Sequence, residues 1–207
     1  MYLDVFDRNP YGTNCWLVSA EGSDEAVAID PGFDPEGVRA LLDAMGKTAV
    51  AVLLTHAHLD HAQAAGSFAR DVPVYVHPED EPAFRDYEAW GGSSPVVLDT
   101  VADLRTFVDG DVLKLAGLPF EVVHTPGHTP GSSCFRVDPE AVVFTGDLVF
   151  AGTIGRSDFA NSDPAAMRES LIRFLTFPND RRVLPGHGPE TTVAVERATN
   201  PYLREVG

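Results

Sequence analysis

The chain has 207 residues, of which 44% are hydrophobic and 22% are charged, as expected for one globular domain that buries its own core. Its 31 acidic and 15 basic residues give a net charge of −16, so we expect no nucleic-acid partner. No apolar run reaches the length of a membrane span, and no signal peptide is recognisable, so we expect no membrane association and a cytoplasmic location.

The first half of the chain is predicted to alternate strands with helices. Short apolar runs bounded by turn residues predict strands at 15–19, 26–30, 49–54 and 74–77. Helices are predicted at 35–45 and 61–70. Asp34 is the expected N-cap of the former, which has proline at its start. Residues 91–94 are expected to form a loop.

The second half repeats this mixture of elements. Strands are predicted at 120–124, 134–137 and 142–145, and a helix at 164–175. The two cysteines, Cys15 and Cys134, belong to no paired motif, so both are expected to be buried thiols without a disulfide. We therefore predict a single α/β domain over residues 1–207.

A dense cluster of metal-binding residues follows the strand predicted at 49–54. The stretch Thr-His-Ala-His-Leu-Asp-His places His56, His58, Asp60 and His61 within six positions. Imidazole and carboxylate groups are ligands that zinc, iron and manganese accept. A solvated polar loop would not require this spacing, so the stretch indicates a metal site.

Three further candidates stand in sharp turns downstream. His128 lies between two Pro-Gly pairs, Asp147 follows an apolar run in Thr-Gly-Asp, and His187 lies in Pro-Gly-His-Gly-Pro. Seven ligands are too many for one tetrahedral ion, but they suit two ions about 3.5–4 Å apart. We expect His56, His58 and His128 to hold one ion. Asp60, His61 and His187 would hold the other, with Asp147 as the bridge.

These residues resemble a known family, the metallo-β-lactamase superfamily, through His56-x-His58-x-Asp60-His61 and the three later positions. The resemblance spans nearly the whole chain and is greatest to glyoxalase II, the hydroxyacylglutathione hydrolases, in their compact bacterial form. The supporting stretches are Ile29-Asp30-Pro31-Gly32, residues 124–131, Gly155-Arg156-Ser157-Asp158, Glu196-Arg197 and Asn200-Pro201-Tyr202.

The resemblance implies a four-layer αββα sandwich with the metals at one edge and no separate C-terminal helical domain. It implies a small-molecule thioester as partner: an S-(2-hydroxyacyl) thiol conjugate such as S-lactoylglutathione, hydrolysed by metal-bound hydroxide. The expected cofactors are two metal ions, zinc first, with iron or manganese as alternatives. Asp60 and Asp147 are the expected catalytic carboxylates: Asp60 orients the nucleophile and Asp147 keeps the metals at their working separation.

Residues around the motifs are further candidates. Arg156 and Asp158 match positions that present a lysine and a tyrosine to glutathione in larger glyoxalase II enzymes, so we expect them to contact substrate, with a salt bridge within the loop as the alternative. His124 is a candidate for orienting a ligand, with structural packing as the alternative. His77 is expected to be structural, and Asp30 is expected to form a turn rather than bind metal.

Other functions remain open. The main alternative is a persulfide dioxygenase with one iron held by His56, His128 and Asp147 and with open positions for oxygen. A lactonase would need the same hydroxide, and a metal-binding protein without catalysis is a further possibility. A β-lactamase is less favoured, because its second zinc commonly uses a cysteine where this chain has Asp147. The oligomeric state is not predicted.

Overall fold

The computed structural model describes residues 1–70, 72–92 and 97–207, which form two six-stranded sheets and one two-stranded ribbon. In chain order the strands are β1 Tyr2–Phe6, β2 Cys15–Ser19, β3 Glu25–Ile29, β4 Thr48–Leu53, β5 Val74–Val76, β6 Leu104–Thr106, β7 Val112–Leu115, β8 Leu118–His124, β9 Ser133–Val137, β10 Val142–Gly146, β11 Val149–Phe150, β12 Thr153–Ile154, β13 Arg182–Pro185 and β14 Thr191–Thr192.

The first sheet keeps the order of the chain, β1 to β6, and is parallel from β3 onward. The second sheet has the order β14-β13-β10-β9-β8-β7, and β10 and β13 are its parallel pair. Strands β11 and β12 form the ribbon. The parallel pairs bring the carboxyl ends of neighbouring strands to one edge, where loops can converge.

Helices cover the outer faces of both sheets. Their bounds are α1 Pro35–Met45, α2 Leu59–Ala62, α3 Ala65–Phe68, α4 Tyr87–Trp90, α5 Pro164–Phe174, α6 Val193–Thr199 and α7 Pro201–Val206. Single 3₁₀ turns lie at Glu81–Phe84 and Asp138–Glu140. The predicted cap of α1 is confirmed, because the carboxylate of Asp34 accepts a hydrogen bond from the Gly37 backbone N–H at 2.9 Å.

Three apolar layers separate four layers of secondary structure. The successive side chains of β2 point to opposite faces of the first sheet, so this strand contributes to two of the apolar layers. Trp16 and Val18 pack between the sheets with the aromatic residues of the second sheet, whereas Cys15 and Leu17 pack under α1. A third cluster joins the second sheet to α5 and α7. The predicted αββα fold is confirmed.

The helix predicted at 61–70 is wrong in its bounds, because two short helices, α2 and α3, occupy this region. The backbone N–H of Ala64 donates to the Gly32 carbonyl, and the Gln63 carbonyl accepts from the Asp99 N–H, both at 2.9 Å. These tertiary bonds replace the ladder that would have continued the helix. The other predicted elements agree with the structure to within two residues at each end.

The structure also bears on the predictions for the two cysteines and for the loop at 91–94. Cys15 and Cys134 are both buried free thiols, as predicted. Of the loop expected at 91–94, Gly91 ends α4 in a left-handed conformation, and residues 93 and 94 lie outside the described part of the chain. Among the described residues, no helix has both the length and the apolar character needed to cross a membrane.

Candidate metal centre

The seven predicted ligands lie on loops that follow four strand ends. Residues 56–61 follow β4, His128 follows β8, Asp147 follows β10 and His187 follows β13. Rigid strands fix where each loop begins, so side chains more than a hundred residues apart in sequence meet at one edge of the two sheets.

Three histidines form the first group. The Nδ1 atom of His58 lies 2.8 Å from the Nε2 atom of His128, and the His56 ring centroid is 4.9 Å and 4.7 Å from the centroids of those two rings. One nitrogen from each histidine lies within 4.8 Å of the other two. His56 and His128 are buried. We call this group the His triad.

Asp60, His61 and His187 form a second group, the Asp triad. The Nε2 atom of His187 lies 3.1 Å from Asp60 Oδ2 and 3.2 Å from His61 Nε2. His61 Nε2 lies 3.4 Å from Asp60 Oδ2. The ligand atoms of these three residues therefore lie close enough together to face a common point.

Asp147 lies between the two triads. Its Oδ1 atom is 3.4 Å from His61 Nε2, and its Oδ2 atom is 3.4 Å from His128 Nε2 and 3.6 Å from His187 Nε2. Gly186 makes room for this carboxylate, since a Cβ atom there would stand 2.4 Å from Asp147 Oδ1. A single carboxylate thus reaches the ligand atoms of both groups.

The residues fit metal ions. Within the described residues, His56 Nε2 and Asp147 Oδ1 are buried polar atoms without a hydrogen-bond partner, which is costly unless a ligand satisfies them. The nitrogen pairs separated by 2.8 and 3.2 Å are close to the spacing of about 3.3 Å between histidine nitrogens on one tetrahedral zinc ion. Nitrogen and carboxylate donors suit zinc, iron or manganese, so the donor set alone does not select among them.

The electrostatics of the two triads differ. Burial, followed by repulsion from neighbouring histidines, holds the pKa of His56 well below its usual value and lowers the pKa of His58 to about 3. Burial also lowers the pKa of His128. The His triad is therefore neutral at physiological pH, and neutral imidazole is the form that binds metal.

The Asp triad contains opposite charges. Burial opposes protonation of His61, but the carboxylates of Asp60, Asp147 and Asp30 outweigh it and hold the pKa of His61 well above its usual value. Burial likewise acts to raise the pKa of Asp60, yet the nearby histidines, His61 first, bring it below the usual value. A cation bound here would take the place of the His61 proton, because a ligating nitrogen must be deprotonated.

Asp30 supports this triad in a way that the sequence analysis missed. The buried Asp30 carboxylate accepts hydrogen bonds from the Thr55 backbone N–H at 2.8 Å and from the Thr55 hydroxyl at 2.6 Å. Its Oδ2 atom also accepts from His61 Nδ1 at 3.0 Å, which turns His61 Nε2 toward the Asp triad. Asp30 is therefore more than the turn residue expected, although its φ of 54° agrees with a turn. The sequence feature that could have indicated this supporting role is the position of Asp30 directly after an apolar run.

Asp80 is a second supporting carboxylate, and no sequence motif marked it. Its fully buried side chain accepts hydrogen bonds from the Ala57 N–H, the Thr129 hydroxyl and the Gly131 N–H at 2.9, 2.7 and 2.7 Å. Burial raises its pKa to about 6 although these bonds favour the ionised form. Asp80 thus joins the loop that carries His56 and His58 to the loop that carries His128.

The segment before β2 supports the Asp triad. The Thr13 hydroxyl donates to Asp60 Oδ2 at 3.2 Å, and Thr13 pairs with His187 in an isolated β-bridge. The Asn14 side-chain amide donates to the carbonyls of Pro185 and Gly188, on either side of His187. The sequence offered no signal for these roles.

The remaining candidates lie around the centre. His128 Nδ1 donates to the Arg156 carbonyl at 2.7 Å, which places Arg156 beside the His triad, and the Arg156 side chain pairs with Asp158. His124 contacts the Pro130 carbonyl at 2.8 Å and stacks on His77 with ring centroids 3.9 Å apart. His124 thus contacts the loop of His128 but not the ligand itself, and its role in orienting that ligand stays a prediction.

A cavity of about 450 Å³ opens over the two triads and Asp147. Its other walls are mostly aromatic and aliphatic. They include Tyr11, Tyr87, Phe150, Ile154 and Phe159, with Arg156 at the rim. The cavity can therefore bring a small molecule with an apolar portion against the metal-binding side chains.

Comparison with known proteins agrees with this geometry. A family model described as the metallo-beta-lactamase superfamily matches residues 8–187. The chain is 32% identical to hydroxyacylglutathione hydrolase GloC of Haemophilus influenzae over 98% of both chains.

Two solved structures are also similar. The BLEG-1 B3 metallo-beta-lactamase is 31% identical with a TM-score of 0.85, and covers 98% of this chain and 99% of its own. TTHA1623 in a di-iron-bound form is 41% identical with a TM-score of 0.80, and covers 98% of this chain and 100% of its own. On the fold, the site and these matches, the chain belongs to the metallo-β-lactamase superfamily.

Proposed function

We propose that the protein is a dinuclear metal-dependent hydrolase that cleaves thioesters, with S-(2-hydroxyacyl) thiol conjugates as its substrates. The observation that carries this proposal is the pair of triads with Asp147 between them at the floor of one cavity. In this proposal the His triad binds one ion, the Asp triad binds the other, and Asp147 bridges them.

Two relatives support the proposal. One similar protein is named a hydroxyacylglutathione hydrolase, and another is described in a di-iron-bound form. A related solved structure is instead described as a metallo-β-lactamase, so relatedness alone does not select the substrate. The preference for a thioester substrate is therefore inferred from the chemistry that the side chains can provide.

Bound divalent ions would lower the pKa of a water molecule to about 7 and would stabilise the negative charge that develops on the substrate carbonyl oxygen. Asp60 orients the attacking water, while the Thr13 hydroxyl holds the Asp60 carboxylate in place. His61 and His128 present Nε2 because their Nδ1 atoms donate to Asp30 and to the Arg156 carbonyl.

The leaving group favours a thioester. A thiol has a pKa of about 8.5, so it departs as a thiolate without a proton donor, whereas an alkoxide or an amide nitrogen needs one. Tyr87 lines the cavity, and burial raises the pKa of its hydroxyl, although the hydrogen bond that the hydroxyl accepts from the Leu59 N–H acts to lower that pKa. This environment makes Tyr87 a weak acid, which is consistent with a substrate that requires none.

The experiment is a paired assay on purified, metal-loaded protein. Hydrolysis of S-lactoylglutathione is followed by loss of thioester absorbance, and oxygen uptake is followed with glutathione persulfide in the same preparation. We expect thioester turnover that stops on chelation, and no oxygen uptake. Oxygen uptake without thioester turnover would contradict the proposal and favour the persulfide dioxygenase. Turnover of a lactone alone would favour a lactonase.

A further inference from the structure

The rim of the metal cavity carries very little positive charge. Among the described residues that line it, Arg156 is the one lysine or arginine. With a net charge of −16 on the whole chain, an anionic substrate receives little attraction from elsewhere on the surface.

The charge of Arg156 is already balanced. Its Nε atom lies 2.8 Å from Asp158 Oδ1 and its Nη2 atom 3.0 Å from Asp158 Oδ2, a bidentate pair. The guanidinium carbon also lies 4.6 Å from the centre of the Phe159 ring. Two N–H donors and one face of the Arg156 guanidinium are therefore engaged, and the Arg156–Asp158 pair has no net charge.

The backbone of Arg156 and the ring of Phe159 are held beside the reaction site. The Arg156 carbonyl accepts from His128 Nδ1, and the Phe159 ring packs edge-on against His58 and His128 with centroids 5.0 and 5.6 Å apart. Arg156 therefore lies at the rim of the cavity in which a thioester carbonyl would be placed over the triads.

Other parts of the cavity wall are aromatic or aliphatic. Tyr11 lies exposed at the cavity and stacks on Phe33, with ring centroids 4.9 Å apart and an interplanar angle of 17°. Phe150 packs edge-on against His187, and Ile154 lies beside it in the wall. The rings and alkyl groups of Tyr11, Phe150 and Ile154 gain free energy by covering apolar groups, and none of the three carries a positive charge that could pair with a carboxylate.

We infer that the thiol portion of the substrate is uncharged and partly apolar, and that Asp158 sets this preference by occupying Arg156. This inference depends on the proposed thioesterase function and identifies its substrate class. Glutathione carries two carboxylates and one ammonium group, so its conjugates would bring two anionic groups to a cavity whose described lining offers no unpaired lysine or arginine.

The test compares two thioesters with the same lactoyl group, one of glutathione and one of the uncharged thiol N-acetylcysteamine. We expect kcat/KM to favour the uncharged conjugate by about tenfold or more, because unmatched charges are penalised at a recognition surface. A wild-type protein that favours the glutathione conjugate would overturn the inference while leaving the thioesterase function intact. Failure to hydrolyse either conjugate would refute the thioesterase proposal and, with it, this inference.

A variant pair tests the role of Asp158. Asp158→Asn releases the Arg156 charge, and the glutathione-to-uncharged ratio of kcat/KM should rise by about threefold to fivefold, the effect expected of one exposed charge pair. The matched control is Asp103→Asn, since Asp103 holds Arg105 in the same bidentate manner away from the cavity, at 2.9 and 2.7 Å. A ratio that is unchanged in Asp158→Asn, or that rises equally in the control, would show that Asp158 does not set the substrate preference.

Discussion

Asp147 is the side chain that joins the two triads. Its two oxygens face ligand atoms of different triads, and one of them has no partner within the described residues. We predict that Asp147→Ala lowers the bound metal to one equivalent or less and reduces thioester kcat/KM by about 100- to 1000-fold, because charge stabilisation at the carbonyl is lost. Elemental analysis and steady-state kinetics measure both effects. Asp103→Ala should change neither, and full metal content with a normal rate in Asp147→Ala would refute the bridging role.

Asp30 acts one step further from the metals. We predict that Asp30→Asn weakens metal binding by about 10- to 100-fold, because His61 loses the carboxylate that orients it. Asparagine tolerates the left-handed backbone at this position, so the variant isolates the side-chain effect from a turn defect. Titration against a competing chelator measures the affinity. An unchanged affinity would mean that Asp30 is only a turn residue, as the sequence alone suggested.

At the scale of elements, Asp80 connects the loop after β4 to the loop after β8. Asp80→Ala would leave two buried backbone N–H groups without acceptors and remove one of the two partners of the Thr129 hydroxyl, so we predict a loss of about 3 kcal/mol in the free energy of unfolding. Urea unfolding measures this loss. The control is Asp111→Ala, where an exposed carboxylate accepts one bond from the Val108 N–H and the loss should stay below about 1 kcal/mol. Equal losses in the two variants would show that Asp80 does not tie the loops together.

The strands, helices and loops also differ in how far they could be predicted from the sequence. The seven strands and the two longest helices that were predicted follow from local signals, namely apolar periodicity, Asp34 and the proline after it. The predicted ligands meet as expected because each follows a strand end. The division of α2 from α3 was not predictable, since the bonds that cause it join Ala64 to Gly32 and Gln63 to Asp99. Asp80 was missed for the same reason, because its partners are distant in the chain.

At the scale of the whole molecule, metal binding should stabilise the fold. The site gathers buried donors from four loops of the two sheets, so bound ions connect segments that otherwise rely on side-chain hydrogen bonds. A ligand at 100 times its Kd adds about 2.7 kcal/mol, which raises Tm by about 5–10 °C for a chain of this size. Calorimetry before and after chelation measures the shift. Asp147→Ala should show a smaller shift, and an unchanged Tm in the wild type would argue against binding that links the loops.

The most direct test of the account is the number and position of the metal ions. Elemental analysis of protein purified without added metal, followed by anomalous diffraction, should give two ions per chain about 3.5–4 Å apart. One ion should lie in the His triad and one in the Asp triad, with Asp147 between them. A single iron held by His56, His128 and Asp147, with His61 and His187 free of metal, would contradict the dinuclear centre.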